Sequence, residues 1–500
     1  MRTNGRSEID GFNSQRQSAL IAAAVCAACL IGALTAFGGT ESGILISAPA
    51  ILCVLGLMTA LVLDAPIAAA VRVAFVASFF FKADVNLFKI DEIEDPSGFN
   101  LSLTFVTAAM LIVYDQFSDQ RERSVFTLPF AIPLLALFIS AVVSVIYGGS
   151  EMLGWYSVWS FFCSIVVAYA VASHFADRER LLSLVTGIAA GILFTGLAAA
   201  SQYLIEFPTN LDFFGTGTEG EMSGTQSEEL SRVPAFLRTP TEMAWVISSL
   251  MPIAIAALLS HDKGIRNWRQ ALVSAAIGAG IVAVILSLAR GSWIATVVSV
   301  PIVFGLGWLR LSAREKRGYL LSTIAVVLFG AIVFLPLAPR VYDRLTADDS
   351  GSAMIRLPLM ETALRMIEDN AIVGVGLNGY RANMTRYDET QIFVSRVFPN
   401  PVHNVFAHVT AEIGIPGGIF FGLLIVAASF EAFRALGSRD RLVFAVALGI
   451  LAGLVAFVMS AIKEPGSLGS VRPGVRTLFL LLGAAMAVSR IRRLSTSYGN

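Results

Sequence analysis

An all-α, polytopic membrane fold of about 12 to 14 transmembrane helices is what this sequence predicts, and three observations predict it. Of its 500 residues, 56% are hydrophobic and only 14% charged, against about one quarter charged in soluble domains; the mean hydropathy is +0.72. Apolar runs recur at lengths of roughly 17 to 22 residues, which at about 1.5 Å per helical residue match a hydrocarbon core of about 30 Å. A transmembrane barrel would show shorter segments of alternating polarity. Third, the basic residues gather on alternate connections, as they do on the cytoplasmic side of membrane proteins.

Along the chain, residues 1–17 form a tail carrying Arg2, Arg6 and Arg16. Residues 18–203 hold spans centred near Ala27, Cys53, Ala74, Ala109, Ala136, Val166 and Ala190. The first run, from about Ser18 to Phe37, is long enough to act as an anchor rather than a cleaved leader. The stretches 67–81 and 101–114 are short, so one or both are expected to be tilted, broken or interfacial. They fall as a pair, so the count is 12 or 14 and later orientations are the same either way. Cys26, Cys29, Cys53 and Cys163 all lie in expected spans. A thiolate is costly in lipid, so they are read as small packing residues rather than a redox pair.

Residues 204–239 are acidic and rich in Gly, Ser and Thr, and 215–231 have no apolar periodicity, which predicts a mobile flap. Residues 240–337 hold spans near Leu250, Ala279, Pro301 and Val327. Residues 338–402 make the longest loop, and loops of such length are commonly functional. Within it, "PLMETALRMIEDN" sets Leu359, Ala363, Met366 and Ile367 at helical spacing, with Pro358 suited to the first turn and Asn370 to the end. The following "GVGLNGYR" has the glycine spacing of a dinucleotide fingerprint at Gly374, Gly376 and Gly379. It lacks the flanking strand and the acidic residue that such a site needs, so a tight turn is the reading. Spans near Gly422, Ala452 and Leu481 fill 403–489, and 490–500 form a tail with Arg490, Arg492 and Arg493. The basic bias places both termini in the cytoplasm and the loops 204–239 and 338–402 outside. It is an orientation signal and implies no nucleic-acid partner.

Polar groups at the outer ends of spans are the functional candidates, because charge near lipid is costly. Arg290, in "LSLARGSWIA", sits in a hairpin turn with no acid within about ten positions. Arg356 precedes Pro358 at the predicted start of the loop helix, where free N–H groups also favour anions. Arg232 and Arg238 lead into the span near Leu250. Guanidiniums grouped at one depth suit bidentate recognition of phosphate. His403, beside Asn404, stands where the long loop enters the membrane, and an ordinary imidazole pKa near 6.5 suits proton transfer. His408 and Glu412 share a helical face, whereas His403 and Glu412 do not, which argues against a single metal site built from all three. No Asp-x-Asp pair is present to hold a divalent ion, so arginine is expected to supply the charge, with no metal and no cofactor.

At these residues the chain resembles the bacterial O-antigen ligase and O-antigen/exopolysaccharide polymerase family, over roughly 230–435 in ordered motifs. "RVPAFLRTPTEMA" places Arg232 and Pro240, with Ala235 where the family often has glycine; "SLARGSW" places Arg290. "SGSAMIRLPLMETALRMIEDNAIVGVGLNGY" places Arg356, Gly374 and Gly376, and "HNVFAHVTAEIGIPG" places His403, Asn404, Glu412 and Gly414. The resemblance implies the architecture of lipid-dependent glycosyltransferases, in the inner membrane, with short helices in a large periplasmic loop and a periplasmic active site. It implies an undecaprenyl-diphosphate-linked glycan donor held by Arg290 and Arg356 with Arg232, and His403 as base toward an acceptor hydroxyl. Arg238, Asn404, Glu412, Gly374 and Gly376 would support them. The acceptor would be another glycan (polymerase) or lipid A core (ligase), with membrane lipids and other polysaccharide assembly proteins as partners. The competing class is a polysaccharide flippase or other transporter, which should carry midplane charges and repeat symmetry.

Overall fold

The computed structural model describes residues 65–81, 84–87, 98–117, 125–149, 151–205, 233–237, 239–260, 262–265, 268–311, 313–346, 350–470 and 472–497. The expected spans near Ala27 and Cys53, with Cys26, Cys29 and Cys53, and the expected flap at 215–231 lie outside these residues.

Each remaining apolar run forms a helix where hydropathy places one. The first two are the short ones, α1 (Ala65–Ala77) and α2 (Leu103–Phe117). Then come α3 (Leu128–Gly148), α4 (Glu151–His174), α5 (Arg178–Ile205), α6 (Pro240–Leu259), α7 (Trp268–Leu286), α8 (Arg290–Arg310) and α9 (Ala313–Thr346). The loop helices are α10 (Ser350–Asp369), α11 (Tyr380–Tyr387) and α12 (Val394–Val397), followed by α13 (Val405–Ala435), α14 (Arg441–Ala461) and α15 (Pro473–Ser497). Among the described residues, 9 helices are long and apolar enough to cross a membrane, or up to 10 if the bent pair Lys316–Ile332 and Phe334–Asp343 is one span. The chain is an all-α multi-pass membrane protein.

Burial separates the centre of the bundle from its lipid face. The apolar window of α6 is 94% buried and that of α15 is 89% buried, whereas α8 buries 28%. α6 packs along α14 so closely that a Cβ at Gly453 would sit 2.3 Å from the carbonyl oxygen of Ser249. Helices in lipid associate through such small-residue contacts, because lipid tails are as apolar as leucine and give no hydrophobic drive.

Three local features differ from the expectation. A two-stranded antiparallel ribbon joins the short helices, β1 (Asp84–Leu87) on β2 (Phe99–Ser102), with Asp84 opposite Ser102 and Leu87 opposite Phe99. It is fastened to the bundle by Asn100, whose Oδ1 accepts from Arg476 Nη2 at 2.8 Å and whose carbonyl accepts from Trp159 Nε1 at 3.0 Å. α10 begins at Ser350, so Pro358 is inside the helix and Arg356 is not at its start. The reason is packing: Ile355 continues the stripe of Leu359, Ala363 and Met366 one turn upstream, onto the same small core as Val375, Tyr380 and Met384. Finally, α9 continues past residue 337 to Thr346, and α15 continues past 489 to Ser497.

α13 is two helices meeting at a break, with Ile413 at φ −121° and Gly414 at φ 75°, ψ 171°. The segment after α10 fills that break. Val375 N–H donates to Ala411 O at 2.9 Å, Gly376 N–H to Glu412 O at 3.0 Å, and Ile415 N–H to Ala371 O at 2.7 Å. Backbone groups freed by the break are thus satisfied by a loop, as they must be at membrane depth. Gly374, also at φ +75°, lies across from Gly414, and a Cβ on either would come 2.3 Å from a carbonyl oxygen of the other strand. The glycine run is a seam between loop and broken helix, consistent with the tight turn expected of it.

Candidate functional site

His403 lies in the short stretch between α12 and α13, and the local fold holds it there. Asn404 is the N-cap of α13: its Oδ1 accepts from the N–H groups of Phe406 and Ala407 at 3.0 and 3.1 Å. Its amide is therefore committed to starting the helix. The His403 ring lies 6.0 Å from that of Phe398. Burial pushes its pKa down to about 4, helped by Arg356 and Arg472, while a hydrogen bond with the Lys463 backbone acts the other way.

That value corrects the expectation of an imidazole titrating near 6.5. His403 is neutral at physiological pH, with a ring nitrogen free of a proton. An NMR titration of ring-labelled protein is expected to show a midpoint near 4 for His403; a midpoint near 6.5 would contradict this environment. The sign for folding follows. The unfolded chain binds a proton near pH 6.5 that the native site refuses until about pH 4, so stability falls as pH drops through that window.

Arg290 opens α8 from a turn that is strained and pinned. Leu288 adopts φ +51°, a conformation costing non-glycine residues of order 1–3 kcal/mol and met disproportionately at functional sites. Ser287 Oγ accepts from Ala289 N–H at 3.2 Å, and Trp293 Nε1 donates back to Val284 O at 2.8 Å. The turn faces the connection between α14 and α15: a Cβ on Gly291 would lie 3.3 Å from Lys463 Cδ.

That connection, residues 462–472, ties the parts together. Lys463 meets the Arg290 turn through its side chain and His403 through its backbone. Ser467 Oγ donates to Glu412 Oε2 at 2.5 Å, and Glu412 Oε1 lies 3.3 Å from His408 Nε2. Tyr380 sets its ring against His408 at 5.0 Å. Arg472 Nε is 3.8 Å from Glu242 Oε1. Glu242 is buried in the first turn of α6, where Thr239 Oγ1 accepts its N–H at 3.1 Å.

The sequence candidates thus divide. Arg356 and His403 lie within electrostatic reach of each other, and the Arg290 turn joins them through Lys463. His408 and Glu412 share a face as their spacing requires, and Glu412 holds the 462–472 connection. Gly374 and Gly376 serve the seam. Arg232 and Arg238 lie outside the described residues. Just beyond Arg232, Ala235 adopts φ +51°, a conformation that favours glycine, and is fixed by reciprocal hydrogen bonds with Gln202 at 2.9 and 3.1 Å.

Sequence reasoning missed Lys463, Ser467, Arg472 and Glu242. The available signal was "KEPGSLGSVRPG", two cations in a short connection on the side where the positive-inside bias leaves few.

Together these residues set cations around His403 at one end of the bundle, with the buried carboxylates of Glu412 and Glu242 nearby. Such a place suits a multiply charged anion carrying a group to be transferred. Residues 275–422 match the family model described as O-antigen ligase. No curated protein matches the chain.

Proposed function

With an O-antigen ligase domain at residues 275–422 as the premise, we propose that this membrane protein transfers glycan from an undecaprenyl-diphosphate-linked donor to an acceptor hydroxyl at the periplasmic face of the inner membrane, with both termini in the cytoplasm. The observation that carries the reading is that Arg356 and Arg472 act on His403, while Lys463, whose backbone meets the ring, turns its side chain to the Arg290 hairpin. A diphosphate needs several positive charges at one depth, beside lipid that can receive its prenyl tail. An acceptor hydroxyl needs a base held next to them.

In this mechanism Arg290 and Arg356 hold the diphosphate, and Arg472 and Lys463 complete the shell, with Arg232 and Arg238 as further candidates on the approach to α6. The acceptor oxygen attacks the anomeric carbon as the bond to the diphosphate breaks. Negative charge grows on the leaving oxygens, where fixed guanidiniums stabilise it most. His403 takes the acceptor proton. Burial is the main cause of its low proton affinity, and a bound diphosphate would offset only the smaller part that Arg356 and Arg472 contribute. The base would thereby be strengthened in part when donor is present. Glu412 is a positioning residue that keeps the 462–472 connection on α13 through Ser467.

Reconstitution in proteoliposomes with a defined lipid-linked oligosaccharide and lipid A core tests this. A product ladder on sizing gels identifies a polymerase, and transfer onto the core a ligase. Donor translocated with no new glycosidic bond would replace the reading with a flippase.

A further inference from the structure

The end of the bundle opposite His403 carries a separate cavity of about 160 Å³. It opens where α6 and α8 end and α14 begins, under the turn from α13. Arg310, Arg439 and Arg441 are at its rim, while buried Tyr319 and Val303 and Leu448, each about two helical turns further into the span, line its inner part. Among the described residues, none of the lining is acidic.

The cavity is held open by specific contacts. Tyr319 reaches over from α9, and its hydroxyl donates to the carbonyls of Val303 and Phe304 at 3.0 and 3.1 Å. It fits only because Gly307 has no side chain, since a Cβ there would sit 2.3 Å from that hydroxyl. Arg310 donates to the carbonyls of Leu436 and Ser438 and stacks 4.5 Å over Phe444, which fixes the turn bearing Arg439.

Two acids at this end of the bundle are paired with Arg178. Asp440 caps α14 through the N–H groups of Leu442 and Val443 and pairs with Arg178 at 3.0 Å. Asp262 takes both of its oxygens to Arg178 at 2.7 and 2.8 Å. Arg439 makes no hydrogen bond or ion pair among the described residues.

We infer that this cavity binds one anionic phospholipid of the leaflet opposite the His403 site, with its phosphate on Arg439 and Arg441 and an acyl chain lying along Val303 and Leu448. The charge of the rim, the apolar inner wall and the position at the end of three spans match an amphiphile with a negative head, whereas a free anion would leave the inner wall without a partner. Guanidiniums suit phosphate oxygens through paired N–H groups. The inference is independent of the glycan chemistry at the other end.

The test is thermal-shift titration of the detergent-purified full chain with phosphatidylglycerol, phosphatidylcholine and inorganic phosphate as separate probes. Phosphatidylglycerol is expected to raise the melting temperature saturably while the other two do not. Arg439→Gln with Arg441→Gln should raise the half-saturating concentration about tenfold or more. Arg317→Gln, at the same end but outside the cavity, should leave it unchanged. An equal shift with phosphatidylcholine or inorganic phosphate, an unaltered response in the double variant, or an equal loss in Arg317→Gln would overturn the inference. If the double variant fails to fold, Arg439→Gln alone, at an exposed turn position, is judged by the same criteria.

Discussion

Replacing His403 with alanine is expected to lower glycan transfer by about 10²–10⁴-fold, the usual contribution of a positioned general base, while donor affinity changes only a few-fold. The expectation rests on what surrounds the ring. Arg356 and Arg472 act on it as cations and Lys463 meets it through its backbone, and an arginine side chain offers only donors. Glu412 is the nearest carboxylate by sequence, but its two oxygens face Ser467 and His408. His408 also acts on the ring, with its Nε2 turned to Glu412, so His408→Ala is the control for any residual rate. Loss of the ring also leaves a hole beside Phe398, so the variant must first be shown to be monodisperse with a melting temperature near that of wild type. Steady-state kinetics in proteoliposomes then separates the roles: a base lost with its site intact lowers kcat and leaves KM for the lipid-linked donor near its original value. Partial recovery with added imidazole would strengthen the assignment. A purified variant retaining more than about one third of wild-type kcat would remove His403 from the chemistry, whatever its geometry, since so small a loss falls far below the contribution of a general base.

Helix positions were legible in the sequence because insertion into lipid depends on a one-dimensional quantity, the apolarity of successive residues. Every expected span within the described residues appears as a helix, down to the shortness of α1 and α2. Arg290 and His403 stood out as candidates for a related reason, since a polar group at the end of an oily run is conspicuous. What depended on tertiary contact was not. Ile355, Leu359 and Ala363 pack on one small core, and that contact carries α10 through Pro358, against a local rule that places proline at a first turn. Lys463 and Arg472 belong to a connection whose own composition suggests an ordinary turn, and only the fold brings it onto α13 and the Arg290 hairpin. The depressed proton affinity of His403 combines burial with charges from α10 and from residue 472, far apart along the chain. Gly374 and Gly414 show the same limit in backbone form. Each could be read as a turn residue, yet the reason for both is the other strand.

Arg290→Ala is expected to reduce kcat by about 10²–10³-fold, the scale measured when one fixed donor to a developing anion is removed. Two features make this residue more than an exposed cation. Its backbone is set by a strained turn, with Leu288 at φ +51° and Trp293 hydrogen-bonded back to Val284, so the guanidinium departs from a rigid base. Its neighbour Gly291 packs on Lys463, which links the hairpin to the connection that meets His403. In the proposed mechanism the ground-state diphosphate would interact with several cations, so losing one should weaken binding modestly. In the transition state additional charge moves onto the leaving oxygens, and the loss is felt there more strongly. The effect should consequently fall on kcat more than on KM. Arg290→Lys keeps the charge but not the paired N–H geometry, and should recover only part of the rate. Because Arg290 and Lys463 would act on the same anion from adjoining elements, their alanine substitutions should be non-additive, with the double variant less impaired than the product of the two singles. Full activity in Arg290→Lys together with strict additivity would reduce both residues to independent surface charges, and the diphosphate would have to be held somewhere else.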